Sequence, residues 1–335
     1  MRKEEQGTTD HVLRTASSIF SILSLSSTST STASELLAKT KLFIQIIESS
    51  PCSPHLPKHD VNIVKLQMDD LQRESIKSGK PLAITNHFVI VLRKMIEQTL
   101  QIFCKIISRY LTECSNKDRL VVIAVEHLIH LVLFGDELCL EAIQCGGLNS
   151  ILKLVRQTST PSETCRLLLR AIAVLCGVSI GCLTLLAVSF HVTNPLELID
   201  TCNTGETLLL VSAALSNVSL QYPHAIDVLY RQNVIARLVN AYNRQDCSTI
   251  FVQEQIVTIL SRFAARRYEE AIISEGAVPM LLEMLTVTDS IHTEYCKRIR
   301  YKAAVCIGTL AATGTGLNSL YLNQGNFEKL LKFVL

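Results

Sequence analysis

The chain of 335 residues has no tryptophan, and aromatic residues make up only 5% of it. Its eight prolines are scattered and alternating apolar and polar stretches are sparse, which argues against a large sheet. No Cys-x-x-Cys pair occurs. The closest cysteines, Cys139/Cys145 and Cys176/Cys182, are six apart, which puts them on different helix faces and fits no common zinc spacing. His127 and His130 share a helix face but lack nearby cysteine and carboxylate ligands, so no metal is expected. A P-loop, G-x-S-x-G, H-E-x-x-H and a Gly-rich turn after a strand are all missing, and with them any foothold for catalysis or a cofactor. The formal charge is +2, which indicates neither a nucleic-acid surface nor a basic membrane arm.

What the chain does have is aliphatic core material: 48% of its residues are hydrophobic, with Leu, Ile, Val and Ala dominant. That composition suits tight packing of helix on helix. Twelve cysteines run from Cys52 to Cys306, mostly at apolar helix positions. They are read as small core hydrophobes in a reducing, intracellular compartment. Asn217-Val218-Ser219 fits a glycosylation pattern but falls in a helix expected to be packed.

Two windows share a grammar. Residues 271–286 read AIISEGAVPMLLEMLT, with a Gly turn between two short apolar helices, and residues 252–264 read VQEQIVTILSRFA, a longer helix with small residues at crowded positions. The turn recurs at Gly147-Leu148, Asn233-Val234, Gly276-Ala277 and Gly325-Asn326. Gly and Asn suit it because a helix end commonly needs a residue in the left-handed conformation. The long helix recurs at 124–132, 171–179, 212–220, 256–264 and 303–311. One position in these copies holds His130, Gly177, Asn217, Arg262 and Thr309, at gaps of 47, 40, 45 and 47 residues. A period near one module length marks stacked helical units. The pattern resembles the armadillo repeat, so the expected fold is all-α: a right-handed armadillo-type solenoid of about five repeats over residues 116–335.

Residues 1–115 are organised differently and are expected to form a helical cap, since a first repeat has no neighbour to cover it. Helices are expected at 11–23, 35–48, 62–78 and 86–113. A hydroxyl-rich tract at 26–34 is read as a solvated loop and the Pro-containing stretch 50–61 as a break. The short apolar run at 19–25 lacks the features of a secretory signal. Residues 171–190 are uncharged and have the length of a membrane span. Their two glycines and their register with the third helix favour burial in the stack.

Five segments make the resemblance narrower: LCLEAIQCGGLNSILKLVRQ (138–157), LLLRAIAVLCGV (167–178), LLLVSAALSNVSL (208–220), VQEQIVTILSRFA (252–264) and CKRIRYKAAVCIGTLA (296–311). Together they resemble the armadillo region of Inscuteable proteins, over roughly 115–320. The resemblance implies a non-enzymatic adaptor, cytoplasmic and at the cell cortex. It would link the Par polarity complex, through a Bazooka-type PDZ scaffold, to a Pins/LGN-type tetratricopeptide protein in asymmetric division and spindle orientation. An armadillo-fold regulator, such as a chaperone cofactor or a small-GTPase exchange factor, would share the same packing. The chain departs from the family between Gly177 and Gly205, where it is shorter and one repeat is expected to be lost or collapsed. No Pins-binding segment is recognisable before residue 60. At the end, Phe333-Val334-Leu335 fits either a PDZ ligand or, preferably, the second helix of a repeat.

The armadillo resemblance also implies a partner groove along the third helices. Its Asn column survives here only at Asn217, and its Trp column reads Glu126, Ala173, Ala213, Thr258 and Val305, which argues against an importin-like reader. Candidate groove residues are His130, Asn217, Thr258, Arg262, Arg266 and Thr309. Arg262 and Arg266 lie one turn apart beside Arg267. That cluster suits acidic partner segments or, alternatively, a solvated helix end.

Overall fold

The computed structural model describes residues 3–24, 30–79, 82–114, 119–157, 160–178, 181, 196–202, 204–221, 224–244 and 246–323. Their regular structure is entirely helical, as expected. The chain forms two compact units, Met1–Ser150 and Ile151–Leu335.

In the first unit, α1 (Lys3–Ser24) pairs with α2 (Thr30–Ser49), a 3₁₀ turn (Ser53–His55) follows, and α3 (Lys58–Ser78) packs on α4 (Asn86–Glu113). Further along come α5 (Leu120–Val132), α6 (Asp136–Gln144) and the start of α7 (Gly147–Val155). The hydroxyl tract read as a loop over 26–34 is helical from Thr30. Ser and Thr cost a helix only tenths of a kcal/mol each, and burial of Ala33, Leu36 and Leu37 on one face outweighs that. α4 is the spine of this unit. Thr85 caps it by accepting from the Phe88 N–H at 3.2 Å. Its apolar residues recur at helical spacing, so Phe88, Leu92, Met95, Ile96, Leu100 and Phe103 are all buried. Each such side chain contributes about 1.5–3 kcal/mol on leaving water.

The second unit carries α8 (Ser162–Leu175), α9 (Glu197–Thr201), α10 (Gly205–Gln221), α11 (Ala225–Arg231) and α12 (Val234–Tyr242). After these come α13 (Ile250–Ala265), α14 (Glu269–Ser274), α15 (Ala277–Met284), α16 (Thr293–Ala311) and α17 (Gly314–Leu322). Among the described residues of this unit, two full modules are present, α11–α12–α13 and α14–α15–α16, each with two short helices and one long one. The long helices lie side by side, α8 on α10, α10 on α13 and α13 on α16. Between the short ones, Asn233 (φ 55°) and Gly276 (φ 75°) adopt the expected left-handed conformation. The corresponding residue before α7 is Gly146 (φ 80°), one earlier than the Gly147-Leu148 turn read from the sequence. Gly147 is instead the first residue of α7, where a Cβ would come within 2.9 Å of the Ala142 carbonyl oxygen.

The uncharged stretch 171–190 begins inside α8, where Ala171, Ile172 and Leu175 are buried. Residues 182–190 lie outside the described residues, as do Gly325-Asn326 and Phe333-Val334-Leu335. Among the described residues no single helix is long and apolar enough to cross a membrane.

Candidate interaction surface on the third helices

The long helices of the second unit place a polar column along their contacts, and most of it is spent inside the protein. Asn217 on α10 donates its amide N–H to the Ala173 carbonyl oxygen of α8 at 2.9 Å. One turn on, Gln221 Nε2 donates to the Gly177 carbonyl oxygen at 2.7 Å. Arg262 on α13 repeats the arrangement, reaching the Ser216 carbonyl and the Ser219 hydroxyl of α10. On α16, Lys302 Nζ donates to Glu254 Oε1 of α13 at 2.7 Å and to the Thr258 hydroxyl. Each donor sits one module after its acceptor, so α10, α13 and α16 are each stitched to the long helix before them. The acceptor carbonyls lie toward the C-terminal ends of α8 and α10, where the helix dipole favours a cation or an N–H donor.

This fixes where the sequence-derived candidates stand. Asn217 and Arg262 are half-buried and bonded to the preceding helix, and burial lowers the Arg262 guanidinium below its ordinary pKa. Thr258 is also engaged, donating to the Glu254 carbonyl oxygen at 2.6 Å while accepting from Lys302. Thr309 donates back to the Val305 carbonyl oxygen at 3.0 Å, one turn earlier in its own helix. Arg266 is exposed at the C-terminal end of α13, and its neighbour Arg267 holds a left-handed backbone (φ 66°). His130 belongs to the first unit, where it is exposed on α5 and lines a cleft of about 1220 Å³ with Arg14, Arg93 and Leu133. In that cleft's neighbourhood, buried His127 meets Asp10 Oδ1 through Nε2 at 3.0 Å and ties α1 to α5.

Three residues that sequence reasoning passed over matter more. Lys302 and Glu254 form a largely shielded ion pair between α13 and α16. Buried Ser219 supplies a hydroxyl to Arg262. Their only signal in the sequence is a polar residue recurring one module away on an otherwise apolar face. A second set of stitches ties the short helices together. Arg244 reaches the carbonyls of Asp200, Cys202 and Ile199. Tyr242 donates to Glu283 at 3.1 Å and Tyr268 to Asp227 at 2.7 Å.

Among the described residues, one face of α16 is exposed. Tyr301 and Val305 on α16 stand at the positions that Glu254 and Thr258 hold on α13, and they are 72% and 47% exposed. Arg298 is exposed beside them and lies over the Tyr295 ring, 4.2 Å from its centroid. Among the described residues, no group of His, Cys, Asp and Glu side chains could hold a metal ion.

Comparison with known proteins agrees with this architecture. Residues 187–315 match the family described as Protein inscuteable C-terminal. The human Protein inscuteable homolog is 32% identical over 126 residues, and the mouse protein of the same name is 32% identical over 125. Each alignment covers 36% of this chain and 22% of the relative, so the matched part is about a fifth of the relatives' length. Among solved structures, a designed armadillo repeat protein superposes with a TM-score of 0.51 at 15% identity, over 87% of this chain and 98% of that one. That likeness carries the fold alone. The chain thus has an all-α armadillo-type fold, and residues 187–315 of it are similar to the C-terminal region of Inscuteable proteins.

Proposed function

We propose that this chain works as an Inscuteable-like adaptor that joins the cortical Par complex to a Pins/LGN-type protein and so helps to orient the spindle in asymmetric division. It would act in the cytoplasm and at the cell cortex. A single observation carries the reading: the matched segment, 187–315, runs through α10, α13 and α16, the three successive long helices of the second unit. A stack of this kind offers continuous helical surface for protein partners. Family and fold both point to a non-enzymatic protein. The match also favours the adaptor over a chaperone cofactor or exchange factor.

The specific partners are a tetratricopeptide protein of the Pins/LGN type and a PDZ scaffold of the Bazooka type. Purified chain immobilised on beads is expected to capture the tetratricopeptide region of the first and the PDZ region of the second. Failure to retain either one, from a chain shown to be folded by circular dichroism, would overturn the linking role.

A further inference from the structure

Deepening the adaptor reading, on which this rests, we propose that the second unit binds an acidic segment carrying a hydrophobic anchor, and that it does so along the open edge of α16 at Arg298, Tyr301 and Val305. The column of Asn217 and Arg262 is not the docking surface, because its donors already serve the carbonyls of the neighbouring helix.

The charge balance of the long helices sets the sign of the ligand. α8, α10, α13 and α16 carry seven Lys and Arg residues against four glutamates, Glu163, Glu206, Glu254 and Glu294. Each of those glutamates is already paired: Glu163 and Glu206 with Arg166, Glu254 with Lys302, and Glu294 with Lys297 at 2.6 Å. The cations of these helices therefore outnumber their carboxylates by three, 7 against 4. Arg298 belongs to that surplus. It reaches only to 3.8 Å from Glu254, which Lys302 already holds at 2.7 Å, and its side chain remains 51% exposed. A carboxylate arriving from outside would complete the planar guanidinium fork.

The shape of the edge sets the rest. Arg298, Tyr301 and Val305 fall at helical spacing on one face, with exposed Ala304 and Gly308 beside them. Small residues there let an incoming backbone approach while Tyr301 and Val305 receive an apolar side chain. The face is also the continuation of an interface the protein already makes. On α13 the equivalent positions, Glu254 and Thr258, are covered by α16 itself through Lys302. On α16, Tyr301 and Val305 have no such cover among the described residues and are exposed.

The probe is a short fluorescein-labelled peptide with glutamates flanking a single phenylalanine, titrated with the full chain and read by fluorescence anisotropy at low and high salt. Saturable binding that weakens with salt is expected, along with at least tenfold weaker binding of the same peptide carrying glutamines. Arg298→Glu should weaken binding about tenfold or more, and Tyr301→Ser should weaken it without changing the salt dependence. Both residues are exposed, so both variants should keep the wild-type circular dichroism spectrum; should Arg298→Glu not, Arg298→Gln replaces it. Absence of binding to wild type, equal binding of the glutamine peptide, or unchanged binding by folded Arg298 and Tyr301 variants would each overturn the proposal. The adaptor reading fails separately. Capture of the polarity partners that ignores Arg298→Glu refutes this edge and leaves the adaptor standing. Peptide binding at Arg298 without any capture refutes the adaptor and leaves the edge.

Discussion

Cys104 and Cys306 are buried and desolvation pushes each thiol up to about 12; Cys139 is pushed up to about 11 by burial, aided by Asp136. The native protein therefore holds these protons at pH values where the unfolded chain, with ordinary thiols near 9.0, releases them. An unfolded state that binds fewer protons than the native one gains as pH rises. Stability contributed by these thiols is thus intact below about pH 9 and declines above it. Peptide mapping after iodoacetamide treatment of the native protein at pH 8 should find Cys104, Cys139 and Cys306 unmodified and half-buried Cys52 modified; comparable labelling of all four would contradict the burial. The bland sequence reading of the cysteines as core residues anticipated this, because each sits on the apolar face of a helix. Arg262 was less legible. Its spacing from Arg266 suggested an exposed cluster, yet its partners Ser216 and Ser219 lie on another helix, and pairs so far apart in sequence leave no local pattern.

At the scale of elements, the long helices are stacking units and their small residues set the spacing. Ala303 on α16 is fully buried, one residue from Lys302, on the helix that packs against α13 and α15. Ala303→Leu should force extra methylenes into that contact and destabilise the chain by about 1–3 kcal/mol. An unchanged midpoint in urea would mean that the register of α16 is wrong. The long helices were readable because apolar periodicity spans several turns, and 86–113 emerged with the boundaries seen in α4. Ends and loops were harder. Thr30 to Ser34 lie in α2 despite their loop-like composition, since tertiary burial of the residues that follow overrides weak propensity. The left-handed residue before α7 is Gly146 and not Gly147 because two glycines stand in succession and only their backbone geometry tells them apart.

At the scale of the molecule, the second unit differs from a peptide-reading stack in how it uses polar side chains. Asn217, Gln221, Arg262 and Lys302 each bind the preceding long helix, so the column stabilises the stack, and the exposed face of α16 is the one proposed for partners. The loss of the usual Asn and Trp ladder was visible in the sequence; the new use of the column was not. A double-mutant cycle at Arg262 and Ser219, read by equilibrium unfolding in urea, tests this most directly. Arg262→Ala alone should cost about 1–3 kcal/mol, and the cycle should show a coupling of about 1 kcal/mol with Ser219→Ala. If Arg262→Ala leaves stability unchanged and the two substitutions show no coupling, the stack is not held by its polar column.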